Sequence, residues 1–247
     1  MARVLLLLFL ATGALGEEWR GVAPGVEYRR AGDVHVARID LKHPRTKVIA
    51  SAQQERGLTI GGFAKRTKAV IAINGDYFDE AFRTIGKAGG ACGVWWEGKR
   101  VSRRQGLVTI GAGRAEIQAN TQQTRGWGRG AVSGWPLLVD GCAPVAKLPG
   151  SDSFTNARHP RTAVGLTRDG KTLLFVVAMG EGMTLPELAR FLVKEAGACR
   201  AMNLDGGSSS AMWVRDAVVT GRDPRVGNHL AVVGADDYSG CGEKKTR

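Results

Sequence analysis

The feature that most constrains the fold of this chain is a series of short segments with strand periodicity, separated by glycine-rich turns. Polar and apolar residues alternate in VEYRRA (26–31) and DVHVARIDL (33–41), with the two-residue period of half-buried antiparallel strands. Further strands are predicted at 47–52, 69–74, 92–98, 106–111, 115–119, 162–168, 172–178, 199–204, 211–214 and 229–233. We therefore expect an α+β fold, with a mixed, mainly antiparallel β-sheet and few helices in a single domain.

One helix is clearly indicated in the C-terminal half of the chain. Thr184 and Glu187 form a T-x-x-E capping box at its start. Gly197 stands where a helix commonly ends with a left-handed residue. Between them, apolar residues recur at the spacing of one buried helical face, at Leu185, Leu188, Ala189, Leu192 and Val193. A shorter helix is predicted over TIGGFAKRT (59–67).

Residues 1–16 are predicted to be a secretory signal peptide. A single basic residue, Arg3, precedes an apolar run from Val4 to Leu10, and small residues at Ala14 and Gly16 favour cleavage after Gly16. The apolar run is shorter than the roughly 18 to 20 residues that a bilayer requires, so a membrane-spanning anchor is not expected. The sequence thus predicts export to the periplasm or the medium.

The rest of the chain is predicted to be one folded unit. Residues 17–34 are expected to form a lead-in strand, residues 35–234 the domain itself and residues 235–247 a flexible charged tail. A stretch rich in Pro, Gly and Ser comes before Pro160, but no low-complexity linker accompanies it.

Four cysteines occur in the sequence, at Cys92, Cys142, Cys199 and Cys241. In an exported chain they predict one or two disulfides, with all three full pairings open. No two of them have the short spacing of a metal knuckle, so no metal site and no cofactor are predicted.

The chain is strongly basic. Its formal charge is +12, and loss of the leader, whose only charged residue is Arg3, leaves +11. Such a surface attracts anions, including phosphate-bearing polymers and anionic envelope glycans. Export disfavours nucleic acid as the partner. The alternative to an anion-binding surface is that the arginines reflect only the base composition of the genome and the solubility of the protein.

Residues Asp205 to Ser210, with the sequence DGGSSS, form the first candidate site. Two glycines permit positive φ angles and a close approach of backbone amides to a ligand, and three serines add hydroxyl groups, which together suit an anion. An acid at the end of a buried strand can also act as a general acid or base. The alternative is an ordinary hairpin turn.

Two further segments carry candidate polar groups. The strand ending at Asn74 runs into a polar tip that contains Gly75, Asp76 and Asp79, and sites commonly lie on such loops. Its spacing lacks the alternating ligands of a calcium loop, and a solvated turn is the alternative. The basic run ending in Arg161 and Thr162 offers a guanidinium to a phosphate, or is simply solvated.

Taken together, four runs resemble the phosphodiester glycosidase family. They are AINGDYFD (72–79), ARHPRTAVGLTRDGKTLLFVV (157–177), GMTLPELARFLVKEAGACRAMNLDGGSSS (182–210) and RVGNHLAVV (225–233). The resemblance spans roughly 35–234 in consistent order. It implies hydrolysis of the glycosidic bond between a sugar and a phosphate that also esterifies a second group. The expected substrate is a sugar phosphodiester in an envelope, capsule or extracellular glycan.

The resemblance, together with the chemistry of the candidate segments, leads to a working hypothesis about particular residues. Asp205 is the expected catalytic carboxylate, with Asp76, Asp79 or Glu181 as the second one. Substrate and phosphate binding is expected from Asn74, Gly75, Arg161, Thr162, Gly206, Gly207, Ser208, Ser209, Arg225 and Asn228. The chain departs from the family pattern at three positions: the family commonly has glycine at Asp76 and Ser208 and aspartate at Met179.

Two other functions are consistent with the residues. One is a serine hydrolase with Ser208 or Ser209 as nucleophile and His229 or His159 as base, although no G-x-S-x-G or S-x-x-K motif supports it. The other is a basic protein that binds anionic envelope glycans without catalysis, for which the three departures from the family pattern argue.

Overall fold

The structure, a computed structural model, describes residues 18–90, 93–96, 98, 106–118 and 130–234. The described residues form 18 strands and three α-helices. The strands are β1 (Arg20–Ala23), β2 (Val26–Ala31), β3 (Val34–Asp40), β4 (Thr46–Ala50), β5 (Ile71–Asn74), β6 (Ala88–Gly90), β7 (Gly93–Trp96), β8 (Gly106–Gly111), β9 (Arg114–Gln118), β10 (Gly130–Gly134), β11 (Leu137–Asp140), β12 (Ala143–Pro144), β13 (His159–Leu166), β14 (Thr172–Met183), β15 (Arg200–Asn203), β16 (Met212–Val214), β17 (Ala217–Val218) and β18 (His229–Gly234). The helices are α1 (Ile60–Thr67), α2 (Asp152–Thr155) and α3 (Leu185–Lys194).

The strands form three sheets. The largest has the order β1-β2-β3-β14-β13-β15-β11-β12, and two five-stranded sheets have the orders β7-β6-β10-β8-β9 and β17-β16-β5-β18-β4. The pairings between these strands are antiparallel, which confirms the predicted fold class of a mainly antiparallel single domain with few helices. Within the predicted lead-in segment, β1 and β2 are two separate strands of the largest sheet: β1 pairs with β2, and β2 pairs with β3.

The two-residue period of the strands sorts their side chains between separate cores. In β14, Leu173, Phe175 and Val177 enter a central core shared by all three sheets, whereas Leu174, Val176 and Ala178 pack toward α3. In β18, Leu230 and Val232 enter the central core, and Ala231 and Val233 pack toward α1. The resulting order of layers is α3, the largest sheet, the central core, the β5–β18 sheet and α1.

The capping residues predicted for the helices are present in the structure. The Thr184 hydroxyl accepts the Glu187 N–H at 3.2 Å, and the Glu187 carboxylate accepts the Thr184 N–H at 2.9 Å, so the capping box of α3 is complete. Gly197 follows α3 with a φ of +80°, the left-handed conformation predicted there. The short predicted helix is α1, which begins after its N-cap residue, Thr59.

One disulfide joins Cys142, in the turn between β11 and β12, to Cys199, which directly precedes β15. This is one of the pairs that the sequence left open. Cys92 and Cys241 lie outside the described residues. In the described part of the chain, no helix has the length and apolar character that a membrane crossing needs.

Candidate active site

The candidate site lies where strands of two different sheets begin and end side by side. Asn74 is the last residue of β5 and pairs with His229 at the start of β18. Asn203 is the last residue of β15 and pairs with Ala163 near the start of β13. The polar residues that follow these strand ends therefore converge, although more than 100 residues separate them in sequence.

The buried Asn74 side chain ties the two sheets together. Its Nδ2 donates to the carbonyl oxygen of Asp205 at 2.7 Å. Its Oδ1 accepts the Thr162 hydroxyl at 2.8 Å and the Ala211 N–H at 3.3 Å. Both halves of the amide are thus engaged with protein groups, so Asn74 and Thr162, expected to bind substrate, position the Asp205 turn in this structure.

Asp76 is buried, with 1% of its surface exposed, and lies where the chain closely approaches Asn228. Its N–H donates to Asn228 Oδ1 at 2.8 Å, and its Oδ2 accepts the Gly86 N–H at 2.8 Å. Gly75 donates its N–H to the Asn228 carbonyl, and a Cβ at Gly75 would collide with Asn228 Oδ1. Only glycine therefore allows Asn228 to reach Asp76.

Burial raises the pKa of Asp76 to about 7, against the opposing hydrogen bonds from the Gly86 and Tyr77 amides. The negative charge of Asp205 raises it further, which shows that the two carboxylates interact. The other carboxylate oxygen of Asp76, Oδ1, is buried and has no hydrogen-bond partner among the described residues. It is the atom available to carry a proton.

Asp205 is the more accessible of the two carboxylates. Burial raises its pKa to about 6, while hydrogen bonds from the Ser209 hydroxyl and the Gly206 amide stabilise the ionised form. Gly207 follows with a φ of +60°, as expected for the turn. The Gly206 N–H thus donates to the Asp205 carboxylate itself. The Ser209 hydroxyl, expected to bind phosphate, donates to the same carboxylate.

Arg161 is a buried cation, with 2% of its surface exposed. Its Nε donates to the Met183 carbonyl at 2.9 Å, and its Nη2 donates to the carbonyls of Phe154 and Ala157 at 2.7 and 3.1 Å. No carboxylate of the described chain lies within 4 Å of the guanidinium, so it has no ion-pair partner there. A Cβ on Gly206 would lie 3.8 Å from the Arg161 Cδ, so the aliphatic part of the Arg161 side chain runs beside the Asp205 turn.

Tyr77 and Asn203 complete the polar centre. The Tyr77 hydroxyl donates to the Trp135 carbonyl at 3.0 Å and accepts Asn203 Nδ2 at 2.6 Å. Burial raises the pKa of Tyr77 above its ordinary value, and the charges of Asp205 and Asp76 raise it further. The phenol is therefore neutral and lies within electrostatic range of both carboxylates.

Two predicted residues, Asp79 and Arg225, have other partners, and a third, Glu181, is exposed. Asp79 pairs with Arg83 at 2.9 Å in a turn, and the hydrogen bond from the Arg83 amide is the main reason why the Asp79 pKa is lowered. Glu181 is exposed on an irregular part of β14 and is not hydrogen-bonded to Asp205 or Asp76. Arg225 is exposed and donates to the Gly57 carbonyl at 2.7 Å.

Among the described residues, neither Ser208 nor Ser209 is hydrogen-bonded to His159 or His229, the candidate bases. Ser208 is exposed at the tip of the turn. His229 is buried, its Nε2 lies 3.2 Å from the Leu58 carbonyl, and burial lowers its pKa to about 3. The His159 Nε2 lies 3.2 Å from the Ser153 carbonyl.

Met179, where the family commonly has aspartate, is half-buried and packs against the central core. The described residues also contain no group of three or more His, Cys, Asp or Glu side chains placed to hold a metal ion.

Sequence reasoning missed Asn203, Trp135 and Phe154. A signal was available for Asn203 alone, because a polar residue in the otherwise apolar strand before Asp205 indicates a buried polar contact. Trp135 and Phe154 lie in segments without a recognisable motif, and only the packing of the chain brings them to the site.

The fold and the site define an antiparallel β-sheet protein with a centre of two interacting carboxylates at its strand ends. Residues 67–233 match the family model of the phosphodiester glycosidases (NAGPA), and the chain belongs to this family. No curated protein matches it by sequence.

Solved structures share the fold at low sequence identity. One is the catalytic domain of zebrafish N-acetylglucosamine-1-phosphodiester alpha-N-acetylglucosaminidase, auto-inhibited by its pro-peptide (TM-score 0.60, 19% identity, covering 84% of this chain and 77% of that one). Another is a hypothetical protein from Synechocystis (TM-score 0.53, 16% identity, 87% of this chain), of whose length this chain spans 61%. A third is a putative exported protein from Burkholderia pseudomallei K96243 (TM-score 0.55, 14% identity, 84% and 74%).

Proposed function

We propose that the protein hydrolyses the glycosidic bond of a sugar-1-phosphodiester. The observation that carries the proposal is a buried guanidinium without a carboxylate partner among the described residues, that of Arg161, whose side chain runs beside the turn that holds Asp205. Burying an unpaired cation is costly, so a bound anion would stabilise this arrangement. A phosphodiester supplies that anion, and its sugar carbon would then lie near the carboxylates.

The two carboxylates suit acid and base roles because their pKa values differ. Between pH 6 and 7, Asp76 holds a proton and Asp205 is ionised. Asp205, the more accessible group, takes a proton from a water molecule that attacks the anomeric carbon, and its charge stabilises the oxocarbenium-like transition state. Asp76 holds the proton that keeps two negative charges from occupying the site together.

The bond that breaks joins the anomeric carbon to the phosphate oxygen, and the products are the free sugar and a phosphate monoester. Phosphate is a fair leaving group, so neutralisation of its charge by Arg161 matters more than its protonation. The predicted signal peptide and the exported relative support a substrate outside the cytoplasm, in an envelope, capsule or extracellular glycan.

The test uses the purified protein with UDP-glucose, UDP-N-acetylglucosamine and methyl glucose-1-phosphate diester. Release of reducing sugar and the appearance of a phosphate monoester by ³¹P NMR report turnover. Asp205→Asn should lower kcat by roughly 100-fold or more. Asp76→Asn, which cannot ionise, should keep most of the turnover at pH 6–7 and retain it above pH 7, where the wild-type Asp76 loses its proton. Asp169→Asn, in the exposed β13–β14 turn, is the matched control and should leave kcat unchanged. Full turnover by Asp205→Asn contradicts the catalytic assignment.

The same protein decides between this function and the alternatives. Salt-sensitive binding to an anionic glycan, without turnover of any diester, favours the non-catalytic protein. Labelling by a fluorophosphonate probe that is lost in Ser208→Ala or Ser209→Ala favours the serine hydrolase. Asp79→Asn and Glu181→Gln test the other candidates for the second carboxylate.

A further inference from the structure

Three half-buried aromatic rings lie in a row beside the candidate site. The Trp135 and Phe154 rings stack with centroids 4.9 Å apart, and the Tyr77 ring follows at 6.5 Å from Phe154. We call Tyr77, Phe154 and Trp135 the aromatic strip. Its rings keep part of their surface exposed, unlike Phe63 and Phe175, which are fully buried in the cores.

The aromatic strip is attached directly to the polar centre. Tyr77 follows Asp76 in the chain and donates its hydroxyl to the Trp135 carbonyl. The Phe154 carbonyl accepts Arg161 Nη2, and the guanidinium carbon lies 5.4 Å from the centre of the Phe154 ring. The aromatic strip therefore lies next to the buried Arg161 guanidinium at one side and next to Asp76 at the other.

Exposed aromatic surface next to a charged site calls for a ligand with both apolar and ionic parts. Aromatic rings gain free energy when their surface is removed from water, and they account for much of the binding energy at small-molecule sites. A pyranose has a C–H face that can cover an aromatic ring and hydroxyl groups at its rim that remain hydrated. In a sugar phosphodiester, the ring and the anion are neighbours, as the strip and the guanidinium are here.

We propose that the aromatic strip is the subsite for the sugar ring, so that the protein recognises a pyranosyl phosphodiester through its C–H face. The inference rests on the proposed function and adds the sugar-binding residues to it. With the phosphate at Arg161 and the ring on the strip, the anomeric carbon lies between them, on the side of the two carboxylates.

The main experiment compares Trp135→Ala and Trp135→Phe on the most rapidly cleaved of the three diesters. Trp135→Ala should raise KM about tenfold and change kcat much less, because the lost contact holds the ring in both ground and transition state. Trp135→Phe keeps an aromatic face and should restore most of the affinity. The inhibition constant of inorganic phosphate should stay at the wild-type value, since Arg161 is retained.

Phe191→Ala is the matched control, because this half-buried ring lies on α3, outside the aromatic strip. It should leave KM unchanged. If Trp135→Ala lowers the melting temperature while KM stays at the wild-type value, Trp135 contributes to folding and not to sugar binding, and the inference is wrong. If the phosphate inhibition constant rises as much as KM, Trp135 acts through Arg161, and the sugar subsite is also wrong.

A second measurement separates this inference from the proposed function. Saturation-transfer NMR with the methyl α-pyranosides of glucose, N-acetylglucosamine and mannose, which carry no phosphate, reports ring contact directly. Transfer to the sugar ring protons that is lost in Trp135→Ala supports the subsite, even if no diester is cleaved. Absence of transfer from all three glycosides overturns it, even if diesters are cleaved and Asp205→Asn abolishes turnover.

Discussion

The replacement of Asn74 by alanine tests whether this residue joins the two sheets at the site. The Asn74 amide forms hydrogen bonds with three groups: the Asp205 carbonyl at 2.7 Å, the Thr162 hydroxyl at 2.8 Å and the Ala211 N–H at 3.3 Å. Asn74 and Thr162 are fully buried, so water cannot replace the lost partners without entering the core. Asn74→Ala should therefore destabilise the whole domain and not only the turn.

The size of the loss follows from the three groups left without a partner. A buried polar group that loses its hydrogen bond costs about 1–3 kcal/mol, with the lower end for the long bond to Ala211. The sum is roughly 3–7 kcal/mol, a large part of the 5–15 kcal/mol that is typical of a domain. Thr162→Val removes only one of these bonds and should cost about 1–2 kcal/mol.

Urea unfolding followed by tryptophan fluorescence measures both variants and their double mutant. The effects of Asn74→Ala and Thr162→Val should not be additive, because the two residues share a hydrogen bond. Asn156→Ala is the matched control, since its exposed amide bonds only Asp152, and its effect should stay within about 0.5 kcal/mol. A loss below about 1 kcal/mol for Asn74→Ala would refute its role in joining the sheets.

Three further predictions concern stability. Cys142→Ser combined with Cys199→Ser opens a cross-link over 57 residues and should lower the free energy of unfolding by about 4 kcal/mol, measured by urea unfolding without reductant. Because burial raises the pKa of Asp76 to about 7, the folded state binds this proton more tightly; the resulting stability is present below pH 4 and is lost as the pH rises through 7. Stability measured from pH 4 to 8 should therefore fall by about 4 kcal/mol more in the wild type than in Asp76→Asn, and equal slopes would exclude the buried proton. Thr184→Ala removes the N-cap of α3 and should cost about 1 kcal/mol in thermal unfolding, whereas Thr184→Ser should cost little.

Local patterns predicted most of the elements because strands, caps and turns depend on neighbours in sequence. The hairpin of β13 and β14 follows from two apolar runs around Asp169 and Gly170, and Gly170 takes a φ of +65°. The capping box of α3 follows from Thr184 and Glu187 in the same way. Short strands such as β1, β6, β12 and β17 were missed, since two to four residues carry too little periodicity.

The resemblance in motifs pointed to Asn74, Arg161 and Asp205 as site residues, and their roles stay predictions. In the structure the Asn74 amide bonds the Asp205 carbonyl and the Thr162 hydroxyl, and the Arg161 Cδ lies near Gly206. The aromatic strip could not be predicted, because its rings come from two connecting segments and α2, which meet only in the folded chain.

The sequence by itself determined the antiparallel β character of this protein, its capped helix and the order of its polar motifs, because each of these depends on periodicity and turn chemistry within a few residues. The tertiary structure alone decided which carboxylate holds a proton and which buried cation has no carboxylate partner in the described part of the chain. Those properties depend on desolvation, and the segments that exclude water from Asp76 and Arg161 come from distant parts of the chain.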